Sequence, residues 1–147
     1  MEKMKEFNVG DEVVFRNIFS LISGRIYSFR ENKEGKISGC LIKTIDSALT
    51  VVTYDNSVSD LIKRVEEYDL LESDSKMKNF NVGDQVLFRC VFSLFTGRIS
   101  ECHRRGNDKI SWYSIKTLDS KFNTFTYQVR AGDALITVRG LDDLVQE

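Results

Sequence analysis

The chain has 147 residues and no proline. Its turns must therefore be made by Gly, Asn, Asp and Ser, and no strand is interrupted by a residue that cannot donate to a ladder. Histidine is nearly absent as well. The one histidine, His103, follows Cys102, and a zinc site would have to recruit Cys90 and a fourth ligand at spacings that fit no zinc pattern. Adjacent residues of a strand point to opposite faces, which also separates Cys102 from His103 as a nucleophile and its base. We therefore expect no metal, no cofactor and no catalytic centre. Three cysteines, Cys40, Cys90 and Cys102, form no even framework, which points to a reducing, cytoplasmic setting. No apolar run is long enough to cross a membrane, and Met1–Glu6 lacks the apolar centre of a signal peptide. No glycine-rich phosphate loop precedes a helix, and no spaced carboxylate pair lies in an apolar setting.

What the chain does contain, it contains twice. The segment from Met4 to Ser47 returns as Met77 to Ser120 at an offset of 73 residues without a gap, with 24 identities in 44 pairs. This is a tandem duplication of a unit of about 70 residues, near the lower limit for a self-sufficient core, so each unit should lean on the other. We place the first unit at 1–72 and the second at 77–147, joined by the polar linker Glu72–Lys76. Charge is shared unevenly. Residues 1–74 carry 10 basic against 14 acidic side chains, and residues 75–147 carry 11 against 8, within a total of −1.

Short runs rich in Val, Ile, Phe, Tyr and Thr alternate with period two, and no stretch keeps a helical stripe. Val13 and Phe15 share one strand face, and Val14 and Arg16 the other. Leu61–Val65, Trp112–Thr117, Phe125–Val129 and Leu135–Arg139 read as further strands, with Tyr113 and Ile115 inward and Trp112 outward. Turns are expected at Asn8–Asp11, Ser23-Gly24, Asn32–Gly35 and Asp55–Ser57, and a tight turn ending in Asp69-Leu70-Leu71 or Asp143-Leu144-Val145 closes each unit.

The class is all-β. Phe7-Asn8-Val9-Gly10-Asp11-Glu12-Val13, then Gly24-Arg25-Ile26, then Ile42-Lys43-Thr44 and a closing Asp69-Leu70 resemble the SH3-like small barrel, with a distant likeness to KOW and Tudor domains. The resemblance implies two tandem SH3-like barrels packed through a pseudo-twofold interface, and a binding fold without catalytic residues. The KOW-type glycine core is missing from both copies.

Identity between the copies is concentrated. From Met4 to Ile26, 16 of 23 pairs match, whereas none of the nine pairs from Tyr27–Gly35 against Ser100–Asp108 does. Packing accounts for the matched apolar residues but not for Arg16/Arg89, Ser20/Ser93 and Arg25/Arg98. We expect these to lie in an excursion between strands one and two, with Phe19/Phe92, where paired guanidiniums grip an anionic group. The competing reading pairs each arginine with a local carboxylate such as Asp11/Asp84 or Asp46/Asp119. Trp112 joins the candidate surface as an outward aromatic.

The function expected from this is non-catalytic binding of a protein partner or a small anionic ligand. The size and tandem form suit a small phage- or mobile-element-encoded inhibitor or sequestering protein. The alternative is a nucleic-acid-binding barrel that uses Arg89, Arg98, Arg104, Arg105, Lys109 and Lys116 of the basic second copy.

Overall fold

The structure, a computed structural model, describes residues 7–18, 20–68, 79–90, 93–106 and 109–141. It is all-β. Strands β1 (Glu12–Asn17), β2 (Ser20–Glu31), β3 (Ile37–Ile45), β4 (Val51–Ser57) and β5 (Leu61–Arg64) form one antiparallel sheet in the order β4-β3-β2-β1-β5. Strands β6 (Gln85–Cys90), β7 (Ser93–Arg105), β8 (Lys109–Leu118), β9 (Thr124–Arg130) and β10 (Ala134–Thr137) form the second, in the matching order β10-β6-β7-β8-β9. Single 3-10 turns, Val58–Asp60 and Ala131–Asp133, separate the fourth and fifth strands of the two sheets. The offset of 73 residues therefore persists through β4/β9 and β5/β10, well past the region where the sequences remain alike. No helix among the described residues is long and apolar enough to cross a membrane.

Side-chain alternation serves two cores at once. Val13 and Phe15 of β1 enter a cluster within the first sheet's unit, with Ile22, Ile26 and Ile42. Val86 and Phe88 of β6 do the same in the second unit, with Ile99, Tyr113 and Ile115. The opposite faces of these strands are apolar too: Val14, Leu21 and Val65 meet Leu87, Leu94 and Val138 in a third cluster shared by both units. A strand buried on both faces needs apolar residues at consecutive positions, which is why Val13-Val14-Phe15 and Val86-Leu87-Phe88 run unbroken.

Three expectations are corrected. The excursion between strands one and two does not exist. The pairing Glu12↔Arg25 continues without a break to Asn17↔Ser20, and Gln85↔Arg98 continues to Cys90↔Ser93, so residues 20–25 and 93–98 are strand arms paired directly with 12–17 and 85–90. Leu21 and Ile22 explain this, because each must reach a core, one shared and one local. Ser23-Gly24 is not a turn but the middle of β2. A Cβ on Gly24 would lie 2.7 Å from both Ile42 Cγ2 and the Lys43 carbonyl, and one on Gly97 would lie 2.6 Å from the Ile115 and Lys116 equivalents, so the matched glycines admit the crossing of β3 and β8. Nor is Asp55–Ser57 a turn, since it belongs to β4. The turn that was overlooked lies at Asp46–Thr50, where Asp46 Oδ1 accepts hydrogen bonds from the Ala48 and Thr50 amides and Leu49 takes φ 67°. Asp119 and Phe122 repeat it. Phe19, Phe92, the linker 72–76 and the closing segments at 69–71 and 143–145 lie outside the described residues.

Candidate functional site

Of the matched polar pairs, Arg25/Arg98 lies where the two units meet. Arg25 Nε donates to the Leu118 carbonyl of the other unit at 2.8 Å, and its Nη1 donates to Gly10 O at 2.7 Å. Arg98 makes the equivalent pair of bonds, to Ile45 O across the interface at 2.7 Å and to Gly83 O at 2.9 Å. Each contact of one unit is returned by the other, which defines an isologous, pseudo-twofold interface inside a single chain. Between the arginines Ser23 Oγ donates to its own equivalent, Thr96 Oγ1, at 2.6 Å. Thr44 and Thr117 brace the same strands by donating to Ser23 O and Thr96 O.

The copies differ at two side chains of this network, Ser23/Thr96 and Glu12/Gln85. Gln85 accepts from the Ser23 amide through Oε1 at 3.0 Å and donates to Ser23 O through Nε2 at 2.9 Å. Its equivalent, Glu12, accepts from both the amide and the hydroxyl of Thr96, at 2.9 and 2.7 Å. Burial raises the Glu12 carboxyl above its ordinary value, against the opposing pull of Arg25 and the Thr96 hydrogen bonds. Burial also lowers Arg98, opposed by Tyr54, Asp46 and Asp84. The cavity enclosed here has a volume of only about 20 Å³, room for one water.

On either side of this seam lies a groove, and the two grooves are equivalent by the repeat. One is lined by Asp11, Arg25, Arg64, Glu66 and Ser93–Phe95 and has a volume of about 190 Å³. The other is lined by Asp84, Arg98, Thr137, Arg139 and Ser20–Ile22 and has a volume of about 810 Å³. Two substitutions distinguish their walls. In the narrow groove Arg64 Nε donates to Asp11 Oδ2 at 2.9 Å and spans the opening. In the wide groove Thr137 stands where Arg64 does, and Arg139 replaces Glu66, so each groove has two lining cations but the wide one loses an acid and the Arg64–Asp11 pair.

The expected site residues are thus distributed across the seam and not along one loop. Ser20 of the first unit meets Arg98 of the second in the wide groove, and Ser93 meets Arg25 in the narrow one. Arg16 is exposed on β1 and Arg89 half-buried on β6, and neither lines either groove. The hydrogen bonds of Arg25 and Arg98 go to backbone carbonyls and not to Asp11 or Asp84. The two aspartates cap their own turns by accepting the Asn8 and Asn81 amides at 2.8 and 2.9 Å. Trp112 points outward on β8 at 37% exposure, far from the seam in register, with His103 of β7 and Arg130 of β9 as its strand neighbours. Tyr113 and Ile115 point inward. Glu12/Gln85, Ser23/Thr96 and Thr44/Thr117 were missed because most of these pairs are similar and not identical. The contrast Arg64/Thr137 was missed because it falls beyond the aligned stretch. Burial pushes the Cys40 thiol up to about 11, which leaves it unreactive. Among the described residues no cluster of ligating side chains is arranged to hold a metal ion.

No protein-family model matches this chain, and no curated protein matches it.

Proposed function

We propose that this is a non-catalytic binding protein, built of two SH3-like barrels in tandem, which accepts a small anionic ligand in the wide groove between its units. The barrel reading is supported by the strand order, in which the fifth strand of each unit returns beside the first and follows a 3-10 turn. The binding reading is carried by one observation: of two equivalent grooves, the one that holds the Arg64–Asp11 pair is the smaller, and the larger is lined by Arg98 and Arg139. Hydroxyls of Ser20, Ser47 and Thr137 lie among those cations and supply neutral donors for the oxygens of a phosphate or carboxylate. Asp84 tempers the charge and favours a ligand that also offers a donor.

The narrow groove supplies the test. Thr137→Arg rebuilds the strut against Asp84 with the geometry already used by Arg64. Backbone amide shifts should be followed as inorganic pyrophosphate is added. In the parent protein, shifts are expected at Ser20–Ile22, Val82–Gln85 and Thr137–Gly140. In the Thr137→Arg protein they should vanish while the melting temperature holds or rises slightly, since an exposed ion pair adds about 0–1 kcal/mol. Shifts spread evenly over the surface, or unchanged in the variant, would overturn the reading.

A further inference from the structure

Interface packing accounts for what the units share, so residues freed from that duty should show where they have specialised. The nine pairs without a single identity fall on the outer half of the hairpin β2–β3 and its equivalent β7–β8. In the first unit this surface is closed on itself. Arg30 Nη2 pairs with Asp55 at 2.7 Å, and its guanidinium lies so near Gly39 that any Cβ there would collide with it. In the second unit every member of that arrangement is replaced. His103 stands for Arg30, Trp112 for Gly39, Gln128 for Asp55 and Arg130 for Ser57. The His103 ring lies flat against the indole, with centroids 3.5 Å apart and planes 12° apart. The ring is held there, because His103 Nε2 bonds Ser114 Oγ at 2.9 Å and that hydroxyl donates to Gln128 Oε1 at 3.0 Å. Arg130 is exposed directly opposite Trp112 on β9, and Arg104, Arg105 and Lys109 are exposed further along the β7–β8 hairpin. Glu101 lies 3.8 Å from His103 and is mostly in solvent.

We propose that the outer face of β7–β8–β9 binds single-stranded nucleic acid, a base stacking on Trp112 and the flanking phosphates meeting Arg105, Lys109 and Arg130. A rigid aromatic that already carries one stacked ring accepts a second flat group without ordering a loose side chain, and every base offers a π-face. A local group of cations on a protein whose net charge is −1 matches a phosphodiester backbone. Binding of this kind is indifferent to sequence and strongly dependent on salt. It is independent of the groove: Thr137→Arg should leave it unchanged.

Trp112 is the single tryptophan of the chain, so its fluorescence reports on this face alone. Oligo-uridine and oligo-thymidine should quench it in a saturable manner at low salt, and log affinity should fall by about 0.7 per phosphate contact for each decade of salt. Followed by anisotropy of a labelled oligonucleotide, Trp112→Ala should weaken binding by about tenfold, within the range set by losing one stacked base. Arg105→Ala with Lys109→Ala should weaken it and flatten the salt dependence. All substitutions are on the surface, and unchanged melting curves confirm that the fold is kept. Absence of binding at low salt, affinity unmoved by Trp112→Ala, equal binding of polyglutamate, or equal binding of blunt duplex would each overturn the proposal, the polyglutamate result showing an unselective cationic patch.

Discussion

The two units bury equivalent residues and expose different ones. At the seam Arg25 mirrors Arg98, Ser23 mirrors Thr96 and Val14 mirrors Leu87, each pair doing the same work for the opposite partner. Away from the seam the likeness ends: a strut across one groove is missing from the other, and a closed ion pair on one outer face is replaced by an exposed aromatic stack. Polar identity between repeats is easily taken as the mark of a duplicated binding site. Here, at Arg25/Arg98, it marks the surface by which the repeats hold each other, because an isologous contact constrains both copies of a residue together. What the copies no longer share is where each is exposed to a separate requirement.

The comparison is broken most forcefully at the matched glycines. Gly24→Ala or Gly97→Ala puts a methyl into the crossing strand, and relief requires backbone movement at β3 or β8. Each should lose about 3 kcal/mol in urea unfolding, at the upper end for overpacking. Near-neutral results in both would show that the crossing is looser than described.

Next come the matched arginines. Arg25→Ala and Arg98→Ala each leave two half-buried carbonyls without their charged donor, one in each unit. A loss of about 2 kcal/mol is expected for each, with nearly equal falls in melting temperature. A marked fall for one arginine alone would break the equivalence of the two sides.

The smallest effect has the opposite sign. Because burial raises the folded-state carboxyl of Glu12, its ionised form is disfavoured in the native protein. That group's contribution to stability is fully present below its unfolded value near 4.5 and is lost as pH rises through the raised folded value. Glu12→Gln copies Gln85, which already satisfies the equivalent position with neutral atoms. It should raise the unfolding midpoint at pH 7 and remove part of the decline between acid and neutral pH. A lower midpoint at pH 7 would show that the Thr96 hydrogen bonds outweigh the burial of charge.

Much of the architecture was legible. Period-two alternation and the absence of proline announced strands, and the repeat announced two units that pack together. The inward Tyr113 and outward Trp112 followed from alternation alone. The hairpin at residues 16–25 was not legible, because arginine and serine in a stretch flanked by turn residues look like loop, and the shared core that claims Leu21 is visible only when both units are present. The same limit hid the partners of Arg25 and Arg98. Backbone carbonyls leave no trace in a sequence, whereas Asp11 and Asp46 offered themselves as carboxylates and turned out to cap turns. The widened groove depended on Thr137 standing for Arg64, a pair too far along the repeat for identity to draw attention to it.

The central claim is that the matched polar residues form one cooperative seam between the units. Native-state hydrogen exchange at the Ser23 and Thr96 amides tests it most directly, since each donates to a side chain of the other unit, Gln85 and Glu12 respectively. The account predicts that both amides exchange only through global unfolding, with the same opening free energy as Ile26 and Ile99, whose amides bond the Asp11 and Asp84 carbonyls inside their own units. Exchange of Ser23 and Thr96 through an opening distinctly cheaper than that of Ile26 and Ile99 would mean that the units separate while folded, and would contradict it.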